Sequence, residues 1–297
     1  MRLRHLLFVA ASVTICSCFL KQDPPATQVS PVFSPTEGLI VLEDISGDQA
    51  AAAILGAFDL KTNGRSSKRL SVDAVDFPVV GFHELAQART PECQIIQASR
   101  DGESQSRTTG LLSAGQMSFG VALQSTLQTV TENSDNSYFL KLDPGVPSDV
   151  YQVQVAGSTS VPAFATTLAM PENLSGVTVA SSTMDSHTIA IKKSTALNIT
   201  WKGPTFINDQ SLMVLDIYAD TANSTIQVHC VTPETSQYMD HSGTKQWTIP
   251  SDYMSQLPTT NTAQVYLARA SAFDGTQDNL DLQVQGLRSS FVNASIE

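Results

Sequence analysis

The feature that most constrains the fold is the alternation of apolar and polar residues in short runs separated by turn residues. Residues 150–155 (VYQVQV) alternate at every position, and similar runs recur through residues 38–297. Successive side chains of an extended strand point to opposite faces, so alternation indicates strands with one buried face. Many short strands with frequent turns are typical of antiparallel sheet. The pattern predicts an all-β protein made of antiparallel β-sandwiches.

Composition excludes several other classes. Apolar residues make up 41% of the 297 residues, which is enough to bury a core. Charged residues make up only 15%, far fewer than a coiled coil carries, while Ser and Thr number 63. The net charge of −11 would repel a polyanion, so we expect no nucleic-acid partner.

A composition break at residues 161–176 (VPAFATTLAMPENLSG) predicts a domain junction, because prolines interrupt strand pairing there. We therefore expect an N-terminal β-sandwich domain at residues 38–165 and a second domain at residues 166–297. The second part carries about seven short strand patterns, which is the number expected of an Ig-like sandwich.

Residues 197–204 (LNITWKGP) place Leu197, Ile199 and Trp201 on one strand face. This segment resembles the tryptophan-bearing early strand of fibronectin type III domains and related sandwiches. The resemblance implies an Ig-like, fibronectin III-like fold for residues 166–297, although the two-cysteine pattern of true immunoglobulin domains is absent.

The N-terminus has the form of an export signal. Arg2 and Arg4 precede an apolar run at residues 6–15. As a helix this run spans only about 15 Å, against roughly 30 Å for the bilayer core, which favours a signal peptide over a membrane span. The peptide ends in Ile15-Cys16-Ser17-Cys18, which resembles the bacterial lipobox.

The lipobox resemblance implies cleavage after residue 17 and acylation of Cys18, with palmitate among the attached chains. Phe19 follows Cys18, where Asp would be the signal for retention at the inner membrane, so the resemblance implies attachment to the outer membrane. Residues 18–37 include four prolines and predict a disordered Pro/Thr/Ser tether. An ordinary signal peptide with an incidental cysteine is the alternative.

Cys93 and Cys230 are the two other cysteines that remain after such processing. An exported compartment is oxidising, so the two are candidates for a disulfide. Two separate buried thiols are the alternative, and the sequence leaves both open.

Motifs that carry chemistry are missing from the sequence. It contains no nucleophile elbow, no His-Glu-x-x-His pair, no P-loop and no dinucleotide fingerprint. We therefore predict a protein that is not an enzyme and needs no cofactor or metal. The alternative is a secreted hydrolase whose site is assembled from distant residues, with these first candidates: His83, Glu84, His187 and His241.

The acidic stretch at residues 274–281 (DGTQDNLD) offers Asp274, Asp278 and Asp281 as weak calcium candidates. Its spacing does not match an EF-hand, so a solvated hairpin loop is favoured over a calcium-dependent adhesin module.

The leading hypothesis is a membrane-anchored lipoprotein that acts as a non-catalytic binding or structural accessory at the cell envelope. The whole layout also resembles Gram-negative outer-membrane lipoproteins with β-sandwich modules and no assigned activity. The expected partners are membrane lipid, through acylated Cys18, and an unknown envelope protein or surface ligand bound by loops.

Overall fold

A computed structural model describes eleven segments of the chain: residues 36–46, 51–60, 70–72, 75–77, 92–99, 111–142, 149–184, 188–203, 211–221, 224–234 and 243–297. The first strands in chain order are β1 (Thr36–Ser46), β2 (Ala51–Leu60), β3 (Leu70–Val72), β4 (Val75–Phe77), β5 (Glu92–Ser99), β6 (Met117–Val121), β7 (Gln128–Glu132), β8 (Tyr138–Leu142), β9 (Val150–Val155) and β10 (Phe164–Ala169). The later elements are β11 (Thr178–Val179), β12 (Ser182–Thr183), β13 (Thr188–Ile191), β14 (Leu197–Lys202), β15 (Ser211–Asp220), β16 (Ser224–Pro233), β17 (Thr244–Ile249), the helical turn α1 (Ser251–Met254), β18 (Thr260–Gln277) and β19 (Leu280–Ile296).

Most of these strands belong to one sheet. Its order is β10-β9-β6-β7-β8-β2-β1-β19-β18-β15-β16-β5, and β13 also pairs with β19. A four-stranded sheet has the order β12-β11-β14-β17, and β3 pairs with β4. The prediction of an all-β protein is confirmed.

The large sheet is mixed, whereas the sequence pattern predicted only antiparallel pairing. β1 runs parallel to β19, with pairs from Thr36–Leu280 to Ser46–Ser290. β13 also runs parallel to β19. Alternation reports which side of a strand is buried but not which distant strand lies beside it, so parallel pairing was not visible in the sequence.

The predicted division between residues 165 and 166 falls inside β10. Strands from both predicted domains share the large sheet, and residues 33–297 form one compact unit. The structure therefore differs from two separate sandwiches joined at that point. Pro162 and Pro171 lie just outside the two ends of β10, positions where proline interrupts no ladder, so they bracket a strand and mark no linker.

Apolar side chains cover both faces of the sheet in its central part. On β15, Met213 and Leu215 pack in a cluster with Trp201 of the four-stranded sheet. Leu212 and Val214 point to the opposite face and belong to a different cluster. A strand that is buried on both sides reads as a continuous apolar run, as β15 does.

Arg269 of β18 ties the segment before β11 to the core. Its Nη1 donates to the carbonyl oxygens of Glu172 (3.2 Å) and Asn173 (3.1 Å), and its Nη2 donates to that of Lys202 (2.9 Å). Its Nε and Nη2 also donate to the two carboxylate oxygens of Glu234, at 2.8 and 3.1 Å. All donor nitrogens of this buried guanidinium are thus bonded, which is the condition for a tolerable buried charge.

The end of β10 is held against β19 in a similar way. Arg288 of β19 donates to the carbonyl oxygen of Pro171 at 3.4 Å and forms an ion pair with Asp44 of β1. Gly286 lies so close to β10 that a Cβ there would sit 2.2 Å from the carbonyl oxygen of Ala169. Only glycine permits this approach of two backbones.

Candidate functional site

One face of the large sheet carries a row of buried polar side chains where its neighbours are apolar. Five adjacent strands contribute one residue each: Glu43 of β1, Ser289 of β19, Tyr266 of β18, Asp216 of β15 and His229 of β16. Asp216 lies opposite Tyr266 on one side and opposite His229 on the other. The row is therefore a product of strand register across the middle of the sheet.

Glu43 is the acceptor at one end of the row. The Tyr266 hydroxyl donates to Glu43 Oε1 at 2.8 Å, and the Ser289 hydroxyl donates to the same oxygen at 2.7 Å. Burial raises the pKa of Glu43 to about 7; the two hydrogen bonds oppose the rise, while the nearby carboxylates of Asp44 and Asp216 add to it. Burial together with the charge of Glu43 also raises the pKa of Tyr266 well above its usual value. Glu43 therefore titrates near neutral pH.

Asp216 and His229 form a close pair at the other end. Asp216 Oδ1 lies 2.7 Å from His229 Nδ1 and accepts a hydrogen bond from Gln227 Nε2 at 2.6 Å. A carboxylate that orients a histidine is one part of many hydrolytic sites. Here the carboxylate is fully buried and the histidine is 5% exposed, so this row bonds internally and offers no open face for a substrate.

Glu43 Oε2 and Asp216 Oδ2 are buried and have no hydrogen-bond partner among the residues that the structure describes. An unsatisfied buried carboxylate oxygen is costly when charged, which is consistent with the raised pKa of Glu43.

The sequence contained a signal for this row that alternation alone did not expose. Asp216 interrupts the apolar run of β15 (SLMVLDIYAD), and a charged residue inside a strand buried on both faces must itself be buried. In the alternating sequence of β16, His229 and Cys230 fall on opposite faces, and nothing else marks His229. Which residue lies opposite Asp216 depends on the register between β15 and β16. That register cannot be read from the sequence alone.

All four candidate residues of the hydrolase hypothesis lie outside the described segments, as does the predicted acylation site. These residues are Cys18, His83, Glu84, His187 and His241. A site built from those histidines, and lipidation of Cys18, stay predictions.

The three calcium candidates lie on the hairpin between β18 and β19. Asp274 accepts a hydrogen bond from Gln283 (3.1 Å), and Asp281 accepts one from Thr276 (3.1 Å). Asp278 occupies the turn itself with a φ of 47°. No three metal-ligating side chains come together anywhere in the described segments. Asp274 and Asp281 thus bond across the two strands of the hairpin, and Asp278 lies in its turn.

Cys93 and Cys230 are joined by a disulfide. They lie directly opposite each other on β5 and β16, with 4.1 Å between their Cα atoms. β5 is the last strand in the order of the large sheet, so the disulfide fastens an edge strand to its neighbour.

An open groove of about 540 Å³ lies between β10 and the β18–β19 hairpin. Its lining comprises residue 152 of β9, residues 164–167 of β10, residues 273 and 275–277 of β18, and residues 280 and 282 of β19. The Phe273 ring is 53% exposed, which is unusual for an aromatic side chain on a strand. The sequence did not reveal the groove, because it depends on β10 approaching a hairpin from the far end of the chain.

In comparison with known proteins, no family model and no curated protein matches the chain. In the described segments, no helix is both long enough and apolar enough to cross a bilayer.

Proposed function

We propose that this chain is a non-catalytic binding or structural accessory of the cell envelope, attached to the outer membrane through an acylated Cys18. The observation that carries the binding role is the contrast between the two sites. The groups capable of proton chemistry are buried and bonded to one another, whereas the groove beside Phe273 is open to solvent. An exposed aromatic side chain in a groove is a usual anchor for a partner.

The binding role is tested with the full chain cross-linked in its native envelope, followed by identification of the captured partners by mass. Phe273→Ser should lower their recovery, because it removes the apolar anchor of the groove. Leu123→Ser is the matched control, since Leu123 is also an exposed large apolar residue but lies on the turn after β6. Equal recovery with both variants would place binding elsewhere.

The anchor is tested separately by Cys18→Ser. Loss of the acylated thiol should leave the protein unprocessed, missorted or released from membranes. If the variant still fractionates with membranes and is cut at the same site, Cys18 is not the anchor.

We also propose that residues 166–297 form an Ig-like, fibronectin III-like sandwich module. The support comes from β14, which pairs with β11 and β17 in the four-stranded sheet. Its Trp201 side chain packs in one cluster with Met213 and Leu215 of β15, a strand of the large sheet. An experimental structure in which the four-stranded sheet packs elsewhere would overturn this.

A secreted hydrolase is the second candidate, and the Asp216–His229 pair favours it. Under this alternative, the wild-type protein hydrolyses an ester, amide or glycoside, and His229→Gln abolishes turnover without unfolding the protein. Under our first proposal, neither protein turns over any member of a panel of such substrates.

A further inference from the structure

We propose that the edge of β10 receives an extended, basic segment of a partner polypeptide as an added strand. This inference rests on the binding role proposed above and names the class of partner and the mode of contact.

The backbone of β10 has a bonded side and a side that faces the groove. The Met170 N–H donates to the carbonyl oxygen of Asp149 at 2.8 Å, so even-numbered residues bond toward β9. In antiparallel pairing, alternate residues direct their N–H and C=O groups to opposite sides. The peptide groups of Ala165 and Thr167 therefore point away from β9, and both residues line the groove.

The open part of this edge is short and closed at both ends. On one side, Gln277 Nε2 donates to the carbonyl oxygen of Ala163 at 3.4 Å. On the other, the carbonyl oxygen of Ala169 lies against Gly286. Residues 165–167 are thus a window about 10 Å long, the span of three extended residues, in which the Thr167 carbonyl oxygen already accepts a 3.4 Å hydrogen bond from the Thr166 hydroxyl.

Three of the devices that commonly protect natural sheet edges are absent from β10. Native edge strands are commonly blocked by a charge, a proline or a bulge. β10 (FATTLA) has none of these, and its pairing with β9 is regular along its whole length. β10 ends the order of the sheet, with no further strand beside it among the described residues.

The groove also supplies contacts for side chains of an added strand. Phe164, Leu280 and Leu282 give it apolar lining, and Phe273 stands exposed at its wall. Strand addition takes its affinity from main-chain hydrogen bonds and its specificity from pockets for alternate side chains. The groove offers both elements.

Charge decides the kind of segment that fits. Asp274, Asp278 and Asp281 flank the lining residues of the hairpin, and neither residues 149–171 nor residues 272–287 contain a lysine or arginine. The whole chain has a net charge of −11. A basic segment is attracted to this end of the molecule, and a second copy of the same acidic chain is repelled.

The test uses the full chain, ¹⁵N-labelled and kept in detergent with its anchor, and the synthetic peptide Lys-Val-Thr-Val-Thr-Val-Lys. Binding should shift the amide resonances of Ala165 and Thr167 and slow their hydrogen exchange. Two matched peptides are controls: one with backbone N-methyl groups on alternate residues, and one with both lysines replaced by glutamate. Both control peptides should bind at least about tenfold more weakly than the parent peptide. The N-methylated peptide lacks main-chain donors, and the glutamate peptide is repelled by the acidic groove.

Variants of β10 test the same main-chain hydrogen bonds by changing the protein instead of the peptide. Thr167→Pro removes the N–H that points into the groove and leaves the bonds to β9, so affinity should fall about tenfold while the far-UV spectrum stays unchanged. Thr167→Ala keeps that N–H and should bind normally, and Ala165→Pro is the second variant in case Thr167→Pro fails to fold.

Three results would overturn the proposal: N-methylated peptide binding as tightly as its parent, proline variants binding normally, or an uncharged glycan shifting the same resonances more than any peptide. If the protein forms a dimer that Thr167→Pro abolishes, the edge of β10 binds a second copy of this chain instead. If envelope partners are still captured through Phe273 while the proline variants have no effect, the strand mode fails and the binding role stands.

Discussion

At the scale of single residues, Glu43 is the group through which pH acts most directly on this protein. Its pKa is raised from 4.5 to about 7 by burial, so the folded state holds this proton more tightly than the unfolded chain does. The stabilisation from this group is fully present below pH 4.5 and declines as pH rises toward 7. It is lost above the folded-state pKa.

We expect Glu43→Gln to remove this dependence, because glutamine keeps an acceptor for Tyr266 and Ser289 but carries no charge at any pH. The difference in unfolding free energy between variant and wild type should grow by on the order of 3 kcal/mol between pH 4.5 and pH 8. Urea denaturation across that range measures it. Glu92→Gln, at an exposed position of β5, is the control; a constant difference for Glu43→Gln would refute the assignment.

A second residue-scale prediction concerns the counter-charge of Arg269. Glu234→Gln retains the shape of the side chain but leaves a buried guanidinium without its carboxylate, so stability should fall by about 3–5 kcal/mol. Chemical denaturation at neutral pH provides the measurement. Glu92→Gln, at an exposed position, should lower the unfolding free energy far less. Similar decreases for the two variants would show that the buried Glu234–Arg269 pair contributes no more than an exposed carboxylate.

At the scale of elements, the disulfide between β5 and β16 keeps an edge strand in place. Replacing both Cys93 and Cys230 by serine should lower the unfolding free energy by about 2–5 kcal/mol, since the cross-link restricts the unfolded chain. Hydrogen exchange should become faster in β5 and change little in β14, which belongs to the other sheet. Wild-type protein treated with a reductant should behave like the double variant; identical stability of oxidised and reduced protein would contradict the prediction.

Individual strands were predictable where one face is buried and the other is wet. β9 and β14 follow the sequence pattern closely, because alternation states directly which side chains are inside. β10 was missed, since its prolines were interpreted as a junction although they lie outside its ends. The polar row was missed for a related reason: its members come from five strands, and only their register brings them together.

At the scale of the whole molecule, Gly286 controls how closely β10 approaches β19 and therefore the width of the groove. Gly286→Ala puts a methyl group into the backbone of Ala169, so we expect a loss of about 1–3 kcal/mol and weaker binding in the groove. Gly243→Ala is the matched control, because a Cβ there meets nothing within 4 Å. Thermal denaturation of both variants checks the prediction, which fails if the two melt alike.

The global arrangement was the least predictable part of the fold. Composition and alternation led to an all-β body, and they did so correctly. They did not lead to one sheet shared by both halves, because that sheet depends on pairing between the first strand and the last. The energy of such a pairing is spread over many weak contacts and leaves no local mark in the sequence.

The parallel pairing of β1 with β19 also has a consequence for biogenesis. β1 meets one of its two neighbours only after the whole intervening chain has been made, so the central sheet cannot close during synthesis. Until then its strand edges are open to aggregation, which makes a holding chaperone along the route useful. A truncation that removes the last strand should therefore yield insoluble chains and no smaller stable core.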